Sequence, residues 1–433
     1  MKKIITCSLA FLLLLTSLFN PDIYASMNRK FMEIDEPYAY SYANYSVQGE
    51  EWRKLTQEEK IQARTIPEEI LYSMTPKALA ETILYYPDCF EVFLFDTIQE
   101  GYDHMGKQEV FQLAYKTRGV AQEILKIYKH TETEYMKESD FRDKYIIHLS
   151  FTMAQWVILD QLTDAELLSL VEIAREKKDV ARPNEDSYAF NRADELVLLR
   201  ALERLYGFDD VQLHLNVEDK ESNGLNINRL SRFIKTGNYL NIYGVDEGSK
   251  GTTVSYYLPA GNMISATYTY GDPEGVPNIQ LLNQEMIGKY GGTLLGNSTT
   301  RYNCHSYAFI NSLYQYHWLA SPTSYIEPTN TGLMNYILKA TQTANFNMIP
   351  QIVGNGAYYK AVYLAGVNGD IYTHSAMVYN STHLVSKWGN GPLVIHKPME
   401  SPYFDAQYLG ASNVTTSIRY YQMNTNYVNS QWP

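Results

Sequence analysis

From about residue 50 to residue 210, apolar side chains recur every three or four positions, the spacing that lines one face of an α-helix. Thr75-Pro76 starts such a helix, with Leu79, Ile83 and Leu84 at helical spacing. Thr65-Ile-Pro-Glu68 and Thr163-Asp-Ala-Glu166 fit capping boxes, in which a threonine and a glutamate satisfy each other's backbone N–H groups. Asn191 can cap a last helix carrying Leu196, Leu198, Leu199, Leu202 and Leu205, and Gly207 stops it. The pattern predicts five to eight helices packed as an α-helical domain. Beyond residue 250 the period falls from 3.6 to 2, the alternation of a half-buried strand. Thr252–Leu258 and Met263–Tyr270 read as a hairpin around Pro259-Ala-Gly-Asn. Lys360–Val367 and Asp370–Tyr379 flank Asn368-Gly369, a strong two-residue turn signal. Leu384–Trp388 and Leu393–His396 continue a four-stranded meander through Asn390-Gly391.

Charge sharpens this division. Residues 26–215 hold 22 basic and 35 acidic side chains, whereas residues 216–433 hold 12 of each. Residues 216–250, rich in Asn, Ser, Gly and Asp, read as a linker. The fold class expected is α+β in two domains: an α-helical domain over 26–215 and an α+β domain with an antiparallel sheet over 251–433. A chain of 433 residues is long enough for two to three domains. The net charge of −12 argues against a nucleic-acid binder, which needs a basic footprint. Three cysteines exclude a disulfide-built fold and a multi-cysteine zinc site. The 38 tyrosines hint at extended sheet or at sugar- and peptide-contacting surfaces.

Residues 1–25 read as an export signal. Lys2 and Lys3 precede an apolar run over Ile4–Phe19, Asn20-Pro21 breaks it, and Ala25 offers a small residue for cleavage. The run is short for a membrane span and no later stretch is a better candidate. The mature protein is expected to be secreted, starting near Ser26, with no stable membrane span.

The chemistry concentrates in Arg301-Tyr-Asn-Cys304-His-Ser-Tyr-Ala-Phe-Ile. Tyr307, Ala308, Ile310 and Leu313 recur at helical spacing, which sets Cys304 in the first turn of a helix. The free N–H groups there favour a thiolate, the nucleophilic form of cysteine. Such a nucleophile needs a base, and His374, in the middle of its strand, is the candidate. Ser386, twelve residues on and one strand over, could orient the ring. His383 falls in the intervening turn. Tyr302 and Trp388 could line a substrate groove or simply pack. Three plainer readings stand beside this one. Cys304 could be a small buried hydrophobe. It could pair with Cys89 in a disulfide. Cys304, His305, His374, His383 and His396 could ligate a metal, although no pair has helix-face ligand spacing.

At the segments NCHSYAF, HSAMV and VSKWGNGPLVIH, over about residues 295–405, the chain resembles papain-like cysteine hydrolases of the NlpC type and their CHAP-like amidase relatives. It is more closely similar to a group of secreted proteins of Gram-positive bacteria. In these, a Tyr-Asn-Cys-His-Ser-Tyr box and a Ser-Lys-Trp-Gly box follow a helical region. The resemblance implies Cys304 as nucleophile, His374 as base and Ser386 as third residue, with no cofactor. It implies cleavage of an amide in a peptide or in cell-wall peptidoglycan, by a protein secreted and in some cases wall-associated. The sequence departs from wall endopeptidases of this type at Asn303, His305-Ser306 and Ser386, where Asp, Ser-Gly and often His are usual. Two alternatives stay open: a non-catalytic secreted binding protein on a decayed hydrolase fold, and an acyltransferase using the same Cys-His site.

Overall fold

The computed structural model describes residues 39–40, 42, 49–95, 98–131, 140–178, 187–207, 253–257, 263–269, 279–298, 304–309, 318–319, 346–351, 356–365, 371–404 and 416–423. The signal segment 1–25, the linker 216–250, Tyr302 and Asn303, and the turns at 259–262 and 368–369 lie outside them.

The first half is helical, in more and shorter pieces than the periodicity predicts. In order come α1 (Gly49–Lys54), α2 (Gln57–Arg64), α3 (Glu68–Leu71), α4 (Pro76–Leu84), a 3₁₀ turn (Cys89–Leu94), α5 (Ile98–Met105) and α6 (Glu109–Lys116). Then follow α7 (Val120–His130), α8 (Asp140–Met153), α9 (Trp156–Leu159), α10 (Asp164–Lys178) and α11 (Ser187–Tyr206). The expected cap at Thr75 is present: its hydroxyl accepts from Ala78 N–H, and Pro76 takes the first helical position. The box at Thr163 is reciprocal, with Thr163 N–H donating to Glu166 Oε2 at 2.7 Å and Glu166 N–H donating to Thr163 Oγ1 at 3.3 Å. Thr65 departs from expectation. It ends α2, and its hydroxyl donates back to Ile61 O, so α3 starts at Glu68 with Pro67 at its N-cap and no side-chain cap. The capping box in this region belongs to Thr56 and Glu59. Asn191 likewise lies inside α11, which begins at Ser187. Gly207 ends α11 in the left-handed region, φ +82, as its position predicts.

The second half is mainly strand. β1 (Thr253–Tyr257) and β2 (Met263–Thr269) form the expected antiparallel hairpin, and β4 (Trp318–Leu319) adds to its β2 edge. α12 (Ile279–Tyr290) leads into β3 (Thr293–Gly296), and α13 is Cys304–Phe309. The remaining strands are β5 (Phe346–Ile349), β6 (Gly356–Ala365), β7 (Ile371–Val378), β8 (Leu384–Lys387), β9 (Leu393–His396) and β10 (Ser417–Met423), with a 3₁₀ turn at Pro402–Phe404. They form an antiparallel sheet of order β3-β9-β8-β7-β6-β10-β5. The predicted meander is its centre, and the fold class is α+β.

The two halves are not separate bodies, because Tyr40–Pro433 forms one compact unit. A continuous core runs from Leu79, Phe93 and Phe111 of the helices through Leu282 and Tyr290 of α12 to Tyr363, Ala376, Trp388 and Tyr403. Charged groups cross the same boundary. Asp88 accepts from Arg64 Nη2 at 2.9 Å and from Lys289 Nζ at 2.7 Å, and Lys144 Nζ meets Glu285 Oε2 at 2.5 Å. Lys289 Nζ and the Arg64 guanidinium also lie over the Trp52 ring, 4.4 and 4.6 Å from its centroid. Buried cations of this kind are tolerated because each is paired.

Candidate functional site

The register of the meander fixes which side chains share a face. Met377 pairs with Val385, Val378 with Leu384, Ser386 with Val394 and Lys387 with Leu393. On the other side of β7, His374 pairs with Tyr363, Ser375 with Val362, Ala376 with Ala361 and Met377 with Lys360. Successive residues of a strand point to opposite faces. One face therefore carries Tyr363, His374, Ala376, Ser386, Trp388 and His396. The opposite face carries Lys360, Val362, Ser375, Met377, Val385 and Lys387.

The first face is packed against the helical half. The His374 ring stacks on Tyr403, with centroids 3.8 Å apart and planes 7° apart, and meets Tyr363 edge-on at 5.2 Å. Tyr403 OH donates to Leu94 O of the 3₁₀ turn at 2.9 Å, which ties this stack to the helices. Ser386 does not sit on the His374 ring as an orienting group. Its hydroxyl donates to His396 Nε2 at 2.8 Å and accepts from Trp388 Nε1–H at 3.1 Å. His396 Nδ1–H in turn donates to Lys397 O at 2.8 Å, which fixes the tautomer. Burial lowers the His396 pKa to about 4, so the ring is neutral. Trp388 lines no groove: it is fully buried, edge-on to Tyr290 at 6.0 Å. Its turn continues through Gly389 at φ +54, where a Cβ would lie 2.5 Å from Leu94 O. Only glycine lets the turn approach the helices this closely.

Cys304 opens α13 as its position predicts, and α13 packs on β7 and β8. Cys304, Tyr307 and Ala308 are buried, and none of them belongs to the core beneath the His374 face. Lys387, on the opposite face, is within electrostatic reach of the thiol. Lys387 is fully buried, and its Nζ donates to Gly389 O at 2.6 Å and to Gly391 O at 2.5 Å. Burial pulls its pKa well below the usual lysine value, while the negative charge of Cys304 acts on it in the opposite direction. Hydrophobic periodicity does not single out Lys387, although a lysine in a short strand between turn signals is legible in the sequence.

Cys89 is also a free thiol and Cys304 is not bridged to it. Burial of Cys89 in the helical core raises its pKa to about 12, leaving it unreactive. His383 sits in its turn, where Asn380 Oδ1 accepts from its N–H at 2.8 Å and Thr382 Oγ1 lies 2.8 Å from its Nδ1. Among the described residues no group of three or more His, Cys, Asp or Glu side chains is placed to hold a metal. No described helix is long and apolar enough to cross a membrane.

Residues 293–414 match the model of a domain of unknown function (DUF7689). The match spans β3 to the segment before β10, so it takes in α13, the meander and the Cys304–Lys387 pair. No curated protein and no solved structure matches the chain.

Proposed function

We propose that the chain is an exported thiol hydrolase that cleaves an amide bond of a peptide or of cell-wall peptidoglycan through Cys304. The observation that carries this reading is a cysteine at the start of a helix docked on β7 and β8 beside a buried lysine. A buried amine whose pKa is pulled down can take the proton of a neighbouring thiol and so favours its thiolate. The resemblance to NlpC-type and CHAP-like hydrolases supports the same reaction class. A helix-borne cysteine ahead of an antiparallel meander has the chain order of a papain-like domain. The apolar N-terminal run with its polar break supports export, to the medium or to the cell wall.

In this mechanism the Cys304 thiolate attacks the amide carbonyl carbon. The carbonyl electron pair moves to oxygen, and the Cys304 backbone N–H stabilises the charge. Collapse breaks the C–N bond, and the proton that Sγ gave up is delivered to the departing nitrogen, which leaves as an amine. Water then hydrolyses the thioester and restores the thiol.

A second reading, a non-catalytic binding protein, draws on the His374 face. His374 is stacked between aromatic rings and Ser386 is committed to His396 and Trp388, so these residues of the hydrolase-like boxes serve as core. The two readings part on one experiment. The native protein is treated with iodoacetamide near pH 7, and amine release from peptides and from purified peptidoglycan is followed for it and for Cys304→Ala. The hydrolase reading expects Cys304 to be labelled, Cys89 to be spared and amine release to vanish in the variant. Labelling of Cys304 only after unfolding, or release untouched by the substitution, sinks it.

A further inference from the structure

We infer that Lys387 is the base that takes the proton of Cys304 and holds the resulting thiolate, and that His374 has no part in this ionisation. The inference rests on the reading of Cys304 as a reactive thiol. It reassigns the base within that site.

Three geometric facts carry it. First, strand alternation sets Lys387 on the same face as Val385, Met377 and Ser375, whereas His374 and Ser386 point to the face covered by the helices. A sheet one residue thick separates the two sets, and side chains on opposite faces do not meet. Second, α13, which starts at Cys304, packs on β7 and β8, and its buried residues Cys304, Tyr307 and Ala308 lie outside the core that covers the His374 face. Third, the Lys387 ammonium is aimed by two backbone carbonyls, those of Gly389 and Gly391. Their negative ends stabilise a cation that burial would otherwise expel. These two bonds fix where Nζ sits.

The step is a simple proton transfer. Sγ–H and Nζ become thiolate and ammonium, and no oxidant or second reactant is consumed. The ammonium later returns the proton to the departing amine. Neither charge is well tolerated alone in a buried site, whereas the pair neutralises itself. The other titratable groups described on this face include Lys360 in β6, Arg419 and Tyr421 in β10, and Tyr307, one turn after Cys304. Burial raises the Tyr307 pKa to about 12, so it stays a neutral phenol. Burial lowers the Lys360 pKa to about 7, so this amine is largely neutral above that pH.

The test is the rate of Cys304 alkylation by iodoacetamide against pH, read on the Cys304 peptide by mass spectrometry. The full-length protein is compared with Lys387→Met, Lys387→Arg and His374→Gln. Lys387→Met is expected to move the alkylation midpoint up by at least one pH unit, a roughly tenfold loss of rate at neutral pH. His374→Gln is expected to leave the midpoint where it is. Lys387→Arg is expected to keep a low midpoint, because a fixed cation still favours the thiolate, but to lose proton return and with it amide cleavage. Should Lys387→Met fail to fold, the other two variants decide. A midpoint displaced by His374→Gln, or one raised in Lys387→Arg to that of an ordinary thiol, overturns the inference. Cleavage lost in Cys304→Ala with a normal midpoint in Lys387→Met would sink this assignment and leave the hydrolase standing. A displaced midpoint without cleavage by any form of the protein would do the reverse.

Discussion

Lysine is rarely buried without effect, and Lys360 is the case that shows this best at the scale of one residue. It sits in β6 with Tyr421 on one side and Met377 on the other, 3% exposed. Burial alone lowers its pKa from 10.5 to about 7. The unfolded chain holds this proton up to about pH 10.5, while the folded chain releases it near 7. Between those values the unfolded state binds more protons, so stability rises with pH across that window and is flat below it. Lys387 shifts in the same direction and adds to the slope. Lys360→Met should therefore raise the urea midpoint at pH 7 by the equivalent of several kcal/mol. The gain should shrink as pH approaches 10.5, and part of the slope, that due to Lys387, should survive. An equal gain at pH 7 and pH 10.5 would show that packing, not ionisation, is at work.

At the scale of an element, the β8–β9 pair depends on a short polar relay inside an apolar layer. Trp388 donates to Ser386, Ser386 donates to His396, and His396 donates to Lys397 O. Ser386→Ala strands the indole N–H and the imidazole nitrogen together. A buried polar group left without its partner costs about 1–3 kcal/mol. The expected result is a thermal midpoint lowered by several degrees, while the alkylation profile of Cys304 on the other face stays unchanged. A displaced Cys304 profile would instead tie Ser386 to the thiol. The relay also gives an acid limit. With His396 at about 4 when folded against 6.5 when free, the unfolded state takes up its proton first as pH falls. Stability from this site is complete above 6.5 and is lost between 6.5 and 4.

For the whole molecule, the decisive feature is the joint between helices and sheet. Asp88 sits between Arg64 and Lys289, whose charges hold its carboxyl well below the usual range. Lys289 also reaches Glu91 Oε1 at 2.5 Å, and the Tyr290 hydroxyl donates to the same oxygen. Arg53 donates to Gly288 O at 3.1 Å, and Asn390 N–H donates to Phe93 O at 2.8 Å. Asp88→Asn leaves two buried cations facing a neutral amide, a loss of about 3–5 kcal/mol. Because the described residues of both halves share one core, circular dichroism of the helices and tryptophan fluorescence should fall together at a lower temperature. Two separated transitions in the native protein would show that the halves fold independently.

Much was written in the sequence alone. Helical and strand halves, the caps at Thr75 and Thr163, the stop at Gly207 and the order of the meander all follow from local periodicity and turn chemistry. These depend on residues three or four apart, which the chain itself brings together. The partners of a side chain across the fold are another matter. Alternation says that His374 and Ser375 point opposite ways, but not which of the two faces meets α13 and which meets the helices. That choice set Cys304 beside Lys387, turned Ser386 toward His396 and buried Trp388 under Tyr290. It also added β10, β5 and β3 to the edges of the sheet. Packing between distant segments decided each of these, because burying one face of a sheet is favourable against any apolar layer. Only the assembled molecule shows which layer is there.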